Sequence, residues 1–360
     1  MQEKERIQKT ITPLTQWYLQ TKKSLPWRSE KSPYRVWISE IMLQQTRTTA
    51  VIPYFLRFID KYPTVFSLAE AKDDELMKLW EGLGYYSRAR NLKKCAIEVV
   101  EKYQGVFPRD KKALLALPGI GPYTAGAILS IAYGEPTPAI DGNVFRVVMR
   151  TLASDRDIAD DKTRRDLDAL LTEIYPTGEE ASLFTEALME LGENVCIPNG
   201  EPRCDLCPVA HLCRAHEGKI ETFFPVKSPK KPRRIEPRTL LIYSYRDTVY
   251  IRKRPAHGLL ASLYEFVGVD GQKTAEEVAE HLSSLGLNDF TLIPLEDGKH
   301  IFTHIEWHMK AYIIRLATPL DESFVRRESL LAATLSELRD KYSIPTAFKM
   351  FLNQIERKLK

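Results

Sequence analysis

Residues 112–131 read KALLALPGIGPYTAGAILSI, two short helix-periodic apolar runs on either side of Pro118-Gly119-Ile120-Gly121-Pro122. Glycine has no Cβ, so Gly119 and Gly121 let the backbone turn sharply and come close to another surface. Bare N–H groups followed at once by a helix N-terminus make a phosphate site. The same residues also suit an ordinary corner between two helices. Some way on, Pro138-Ala139-Ile140-Asp141-Gly142-Asn143 sets an acid between an apolar entry and a new helical run. That position is commonly an N-cap.

Around this core, the chain from 5 to about 222 is patterned for helices. Val51, Ile52, Phe55, Leu56 and Ile59 fall on one face, and the stretches 86–103, 122–133, 143–152, 161–174 and 180–194 continue the pattern. Asp73 and Asp110 are expected N-caps and Gly105 an expected C-cap. The 360 residues suggest two domains, and 44% hydrophobic content suffices for real cores. No run approaches the length of a membrane span, and the first helical stretch lacks the unbroken apolar run of an export signal. The expectation is a cytosolic protein, nucleoid-associated if bacterial. The net charge of +4 is compatible with nucleic acid and decides little.

Composition changes at 225–238, PVKSPKKPRRIEPR, where four prolines and six basic residues accompany a single acid. The expectation is an extended linker over 225–237, whose role is spacing or the following of phosphates. Beyond it, TLLIYSY and TVYIRKR about an Arg-Asp turn read as a hairpin, 307–316 as a strand, and 274–285 and 345–357 as helices. The fold class is therefore a mainly α region over 1–224 and an α+β domain over 238–360.

Cys95 reads as a buried small hydrophobe. The other four cysteines follow Cys196-x7-Cys204-x2-Cys207-x5-Cys213. In a chain with no export signal, four thiolates within one loop over 196–213 read as a metal centre rather than disulfides. Zinc and iron–sulfur both accept four sulfurs, and spacing does not choose between them.

LPGIGPYTA, then Asp141, then the four-cysteine loop together resemble the helix–hairpin–helix DNA glycosylase superfamily, in its iron–sulfur branch. LPWR (25–28), WISEIMLQQT (37–46) and WEGLGYYSRARNL (80–92) resemble the adenine glycosylase (MutY) family within it. The resemblance covers roughly 8–222, with recognisable stretches in 238–355. The first cysteine gap is seven residues where the family usually has six. The family's cluster is 4Fe–4S, which the resemblance assigns to Cys196, Cys204, Cys207 and Cys213.

Breaking an N-glycosidic bond requires a proton on the leaving base and stabilisation of a cationic sugar, tasks for a carboxylic acid and a carboxylate with separated pKa values. Glu40 lies among Val36, Trp37, Ile38, Ile41 and Met42, which should keep its carboxyl protonated. The alternative is a buried glutamate paired with an arginine such as Arg28. The resemblance makes Glu40 the acid acting at adenine N7 and Asp141 the carboxylate, with Asn143 and Tyr123 hydrogen-bonding around the step. It places Trp27, Arg28 and Glu186 in the adenine pocket. At the position of Tyr123, related strand-nicking enzymes carry a lysine that forms a Schiff base, so the expectation is base removal without efficient lyase action. The resemblance further implies that Gln45, Thr46, Leu83 and Tyr85 plug the gap left by the flipped base and read its partner, and that Gly119 and Gly121 hold backbone phosphate.

GLLASLYEF within 258–287 resembles the start of a Nudix motif, but Ser283 and Ser284 stand where its two metal-binding glutamates belong, so binding without pyrophosphate hydrolysis is expected. The loop His300-Ile301-Phe302-Thr303-His304 matches the family's 8-oxoguanine recognition loop, with Thr303 for the usual serine. The implied partner is double-stranded DNA carrying adenine opposite 8-oxoguanine or guanine, bound by a monomer with no membrane involvement. Four rivals remain open at this point. An endonuclease III-like enzyme is opposed by Tyr123 and the second domain, a Nudix hydrolase by Ser283 and Ser284, and a non-enzymatic DNA binder would be unaffected by loss of Glu40. A thymine-mismatch glycosylase also keeps a tyrosine in the hairpin, but the C-terminal recognition loop favours adenine.

Overall fold

The computed structural model describes residues 1–229 and 232–359; Lys230 and Lys231 of the basic proline-rich stretch and the terminal Lys360 lie outside the described residues. Contacts group the chain into two units, Met1–Glu70 with Asn91–Pro229, and Ala71–Arg90 with Lys230–Lys360. Contacts, unlike chain order, place residues 71–90 in the second unit. Lys78 donates to the Tyr342 carbonyl at 3.1 Å, Lys253 pairs with Asp74 at 2.6 Å, and Arg90 donates to the Ala261 carbonyl at 2.7 Å.

The first unit is helical. One of its cores packs Gly142–Leu152 and Glu179–Asn194 with Ile11–Thr21 through Leu14, Tyr18, Val148, Phe184 and Leu188. The helix Pro33–Leu43 starts from Ser32, whose side chain accepts the Arg35 N–H at 3.4 Å, with proline in its first turn. Its residues from Val36 to Met42 are all buried, which carries Glu40 into the interior. Asp110 caps Lys111–Leu115 as expected, accepting the Ala113 N–H at 2.8 Å. Asp73 does not act as a cap: Lys72 holds that position, and Asp73 opens the helix Asp73–Leu79, where its charge still complements the dipole. At the end of Ser87–Tyr103, Gln104 and Gly105 both adopt positive φ, and a Cβ on Gly105 would stand 2.2 Å from the Phe66 ring.

The hairpin residues behave as their glycines predict. Gly119 has φ +77°, and a Cβ there would meet the Asn91 side chain at 2.7 Å, whereas Gly121 faces open space and caps Pro122–Ala127. This helix runs on into a π-helical turn, Ile128–Ala132. Asp141 does cap Gly142–Leu152, accepting the N–H groups of Asn143 at 2.9 Å and Val144 at 2.8 Å.

The second unit centres on a mixed eight-stranded sheet. β1 (Arg234–Tyr245) turns at Arg246-Asp247 into antiparallel β2 (Thr248–Lys253), the expected hairpin. The short β3 (Tyr264–Glu265) pairs with β2, and β4 (Val267–Asp270) with β1. β5 (Phe290–Pro294) and β6 (Gly298–Ile301) both pair antiparallel with β7 (Ile305–Leu316), and β8 (Leu330–Thr334) with β2. β7 lies parallel to β1 from Arg234↔Ile305 to Ser244↔Arg315. Side chains alternate across a strand. Leu240 and Ile242 therefore join the core with Phe348 and Phe351 of the helix Thr346–Leu359, and Leu241 and Tyr243 that with Val278 and Leu282 of Ala275–Ser284.

Candidate active site and cysteine loop

A cleft of about 660 Å³ in the first unit is lined by Trp27, Arg28, Glu40, Gln45, Thr46, Tyr123, Asp141, Asn143 and Glu186. Residues nominated from five separate stretches of sequence thus meet around one space. Glu40 is 5% exposed, and its Oε2 accepts a hydrogen bond from the Tyr123 hydroxyl. Burial pushes the Glu40 carboxyl up to about 7; the nearby Asp141 charge adds to the rise, and the Tyr123 hydrogen bond opposes it. Burial and the Glu40 carboxylate likewise raise the Tyr123 phenol, which stays a proton donor.

Asp141 reaches the cleft from the helix start that it caps. One oxygen takes both backbone N–H bonds and the other accepts Asn143 Nδ2 at 2.7 Å. Burial raises this carboxyl as well, against the pull of those three donors and of Arg146. Capping and chemistry need not exclude each other here, because the hydrogen bonds that cap the helix also stabilise the ionised form. Asn143 is itself held by Arg146, which donates to Asn143 Oδ1 at 2.8 Å and to the carbonyls of Gly192 at 2.7 Å and Cys196 at 2.6 Å.

Arg28 does not pair with Glu40. It bonds to Glu190 at 2.8 Å and approaches Glu186 at 3.8 Å, and Glu186 is also paired with Lys31 at 2.6 Å. Sequence reasoning passed over Glu190, Glu193 and Lys31. A signal for the two acids was available, since Glu186, Glu190 and Glu193 recur at helical spacing on Glu179–Asn194 and all line the cleft. Lys31 carried no such periodic signal. The cleft wall also contains Lys227, which sequence reading left in the linker.

Gln45 has φ +59° and is exposed. In the second unit, Gly82, Gly84 and Tyr85 all take positive φ, and the turn is fixed by Trp80 Nε1 donating to the Gly84 carbonyl at 3.1 Å and Arg88 to the Leu83 carbonyl at 2.9 Å. Non-glycine residues held in this region of φ are uncommon and gather at functional sites. Tyr85 is 47% exposed, whereas Leu83 is buried in the turn. The Tyr85 hydroxyl lies 3.4 Å from Thr303 Oγ1. Both line a pocket of about 370 Å³ shared by Phe302 and His304. Phe302 is wedged edge-on between His300 and Trp307, with centroids 4.6 and 4.8 Å away, and leaves Thr303 and His304 exposed. Ser283 and Ser284 end the helix Ala275–Ser284, where Ser284 Oγ donates to the His281 carbonyl at 2.6 Å.

All four clustered cysteines line one small cavity of the first unit, with Val147, Leu191 and Val209, and form no disulfide. Arg150, 3% exposed, donates to Cys196 Sγ at 3.3 Å and to the Ile197 carbonyl at 2.9 Å. Burial pushes the thiols of Cys204 and Cys207 up to about 12 and raises that of Cys213. Convergent sulfurs with an adjacent fixed cation fit a group that binds thiolates. His216 and Glu221, not anticipated from the sequence, pair at 2.7 Å beside Cys204. Among the described residues, no helix is long and apolar enough to cross a membrane.

Comparison with known proteins agrees with this geometry. Residues 38–173 match the family model for HhH-GPD superfamily base excision DNA repair proteins, and residues 238–354 that for the NUDIX domain. An adenine DNA glycosylase of Buchnera aphidicola subsp. Schizaphis graminum is 34% identical over 84% of this chain and 86% of its own, and that of Rattus norvegicus is 34% identical over 84% and 70%. Among solved structures, a thermostable thymine-DNA glycosylase matches with TM-score 0.54 and 27% identity, covering 59% of this chain and 98% of its own. A non-covalent endonuclease III–DNA complex matches with TM-score 0.51 and 27% identity, covering 61% and 99%. The cleft, the hairpin, the cysteine loop and the Nudix-like sheet occur together in this chain because it belongs to the adenine DNA glycosylase family.

Proposed function

We propose that the protein removes adenine paired with 8-oxoguanine or guanine from duplex DNA, hydrolysing the N-glycosidic bond and leaving the strand uncut. The observation that carries this reading is the buried Glu40, its carboxyl raised to about 7 and bonded to Tyr123, in one cleft with Asp141. Half protonated near neutrality, Glu40 gives its proton to adenine N7 as the base departs. Asp141, facing C1′, stabilises the cationic sugar as an ion or through a transient bond until water adds. Asn143 orients Asp141, and Trp27, Arg28 and Glu186 hold the base. Tyr123 donates to Glu40 and offers no amine, so the sugar forms no Schiff base.

The flipped adenine leaves a gap for Gln45, Thr46, Leu83 and Tyr85. Gly119 and Gly121 hold backbone phosphate through their N–H groups. Phe302, Thr303 and His304 recognise the opposite 8-oxoguanine, the Thr303 hydroxyl bonding to the groups that distinguish it from guanine. The Nudix-like unit binds without hydrolysing pyrophosphate, because Ser283 and Ser284 supply no carboxylates. Cys196, Cys204, Cys207 and Cys213 are the proposed ligands of a 4Fe–4S cluster, which when bound would tie the loop into one rigid element. The proposed acting form is a monomer, located in the cytosol or nucleoid.

The test is excision from duplexes holding adenine opposite 8-oxoguanine, adenine opposite guanine, and thymine opposite guanine. Preference for the first supports the reading. Preference for thymine transfers the substrate to the neighbouring thymine glycosylase class.

A further inference from the structure

Four cations line the cleft, Arg28, Arg47, Arg164 and Lys227. Arg28, inside, is neutralised by Glu190 and Glu186. Arg164 and Lys227 line the same cleft as Asp141, Gly142 and Phe145, and both are exposed. Arg164 lies over the Phe145 ring with its guanidinium carbon 4.8 Å from the centroid. Among the described residues, neither side chain has a hydrogen-bond or ion-pair partner. The cleft nevertheless contains five carboxylates, Glu40, Asp141, Glu186, Glu190 and Glu193. Cations that served to neutralise these acids would pair with them.

Lys227 is not left on a free tether. The Ile158 N–H donates to the Val226 carbonyl at 3.1 Å. On the other side of Lys227, the Ser228 N–H donates to Asp157 Oδ2 at 3.2 Å, and its hydroxyl donates to the same carboxylate. The chain entering the basic proline-rich stretch is thus fastened to the loop before Asp161–Thr172, and this fixes Lys227 in the cleft wall.

We propose that Arg164 and Lys227 form a phosphodiester subsite in the wall of the cleft, gripping the DNA backbone beside the flipped nucleotide. The proposal rests on the reading of the cleft as a DNA glycosylase site and assigns a backbone contact to two named residues. A backbone phosphate supplies the direct partner that these two side chains lack, Asp157 acting on Lys227 only through its nearby charge, and a stacked guanidinium keeps its in-plane donors for phosphate oxygens. The Ser228–Asp157 clamp acts as a positioning element for Lys227.

The test measures the affinity of the full, cluster-loaded chain for a duplex carrying a tetrahydrofuran abasic analogue, across a salt series. Each of Lys227→Gln and Arg164→Gln is expected to weaken binding several-fold and to lower the slope of log Kd against log salt by about 1. The loss should appear in binding more than in the single-turnover rate at saturating enzyme, since a contact of this kind holds the backbone rather than reacts. Asp157→Ala, which keeps both cations and frees Ser228, should weaken binding with less change in slope. Unchanged affinity and slope in both glutamine variants would overturn the proposal, as would a fall in rate with no change in binding. The abasic probe contains no target base, so failure to excise adenine and failure of this subsite give separate results.

Discussion

The Tyr123 hydroxyl donates its hydrogen bond to Oε2 of Glu40, joining the first residue turn of the helix after the hairpin to the helix that buries the acid. A hydrogen bond to the ionised carboxylate favours that form, so it holds the Glu40 pKa below the value that burial alone would set. Tyr123→Phe should therefore raise the Glu40 pKa. In single-turnover measurements across pH, the alkaline limb of the excision rate should move upward from about 7. A limb that stays in place or moves to lower pH contradicts this coupling.

Glu40→Gln should abolish excision, by on the order of 10²–10⁴-fold, and keep binding to the mispaired duplex. Its effect on stability has a definite sign. The folded carboxyl retains its proton up to about 7, while the unfolded one ionises near 4.5. Ionisation therefore favours the unfolded chain as pH rises between those values, and stability falls across that window. Glutamine removes this loss. The variant should gain on the order of 1–3 kcal/mol relative to the parent between pH 4.5 and 7, read from denaturant midpoints at both ends. An equal difference at both pH values would show that Glu40 is not raised.

In the second unit, Thr303 Oγ1 lies 3.4 Å from the Tyr85 hydroxyl, and Thr303 and His304 are exposed while Phe302 is anchored by its aromatic neighbours. Thr303→Ala and His304→Ala should each reduce excision opposite 8-oxoguanine by roughly tenfold, about the worth of one good hydrogen bond, with a smaller loss opposite guanine. Single-turnover rates on the two duplexes decide it. Equal losses on both would assign the loop a general role in binding.

The four cysteines should bind iron and acid-labile sulfide in equal amounts. Cys207→Ser should reduce both, and Arg150→Gln, which removes the guanidinium from Cys196 Sγ, should speed loss of iron to a chelator. One zinc and no sulfide in protein purified without air would overturn the iron–sulfur assignment while keeping the ligands.

Much of the site was legible because it is written in local patterns. The glycines of 118–122 encode a sharp turn, the apolar neighbours of Glu40 encode its burial, and the crowding of four cysteines into 196–213 brings them to one cavity. Asp141 showed the limit of reading one role per residue, since it caps its helix and lines the cleft together. Other features depended on long-range packing. Residues 71–90 read as one more helical stretch, yet bonds from Lys78, Asp74 and Arg90 tie them to the sheet-bearing unit. Arg28 chose Glu190 over Glu40, and nothing adjacent to either acid indicates that choice. Lys227 stood in a basic run with the signature of a solvated linker, and only the bonds of Val226 and Ser228 bring it to the cleft.

The most direct test of the central claim is single-turnover excision from a duplex holding adenine opposite 8-oxoguanine, with and without alkali before electrophoresis. Removal of adenine without lyase action predicts strand breaks only after alkali. Breaks formed without alkali would contradict the role given to Tyr123, and absence of adenine release by cluster-loaded protein would contradict the proposed substrate itself.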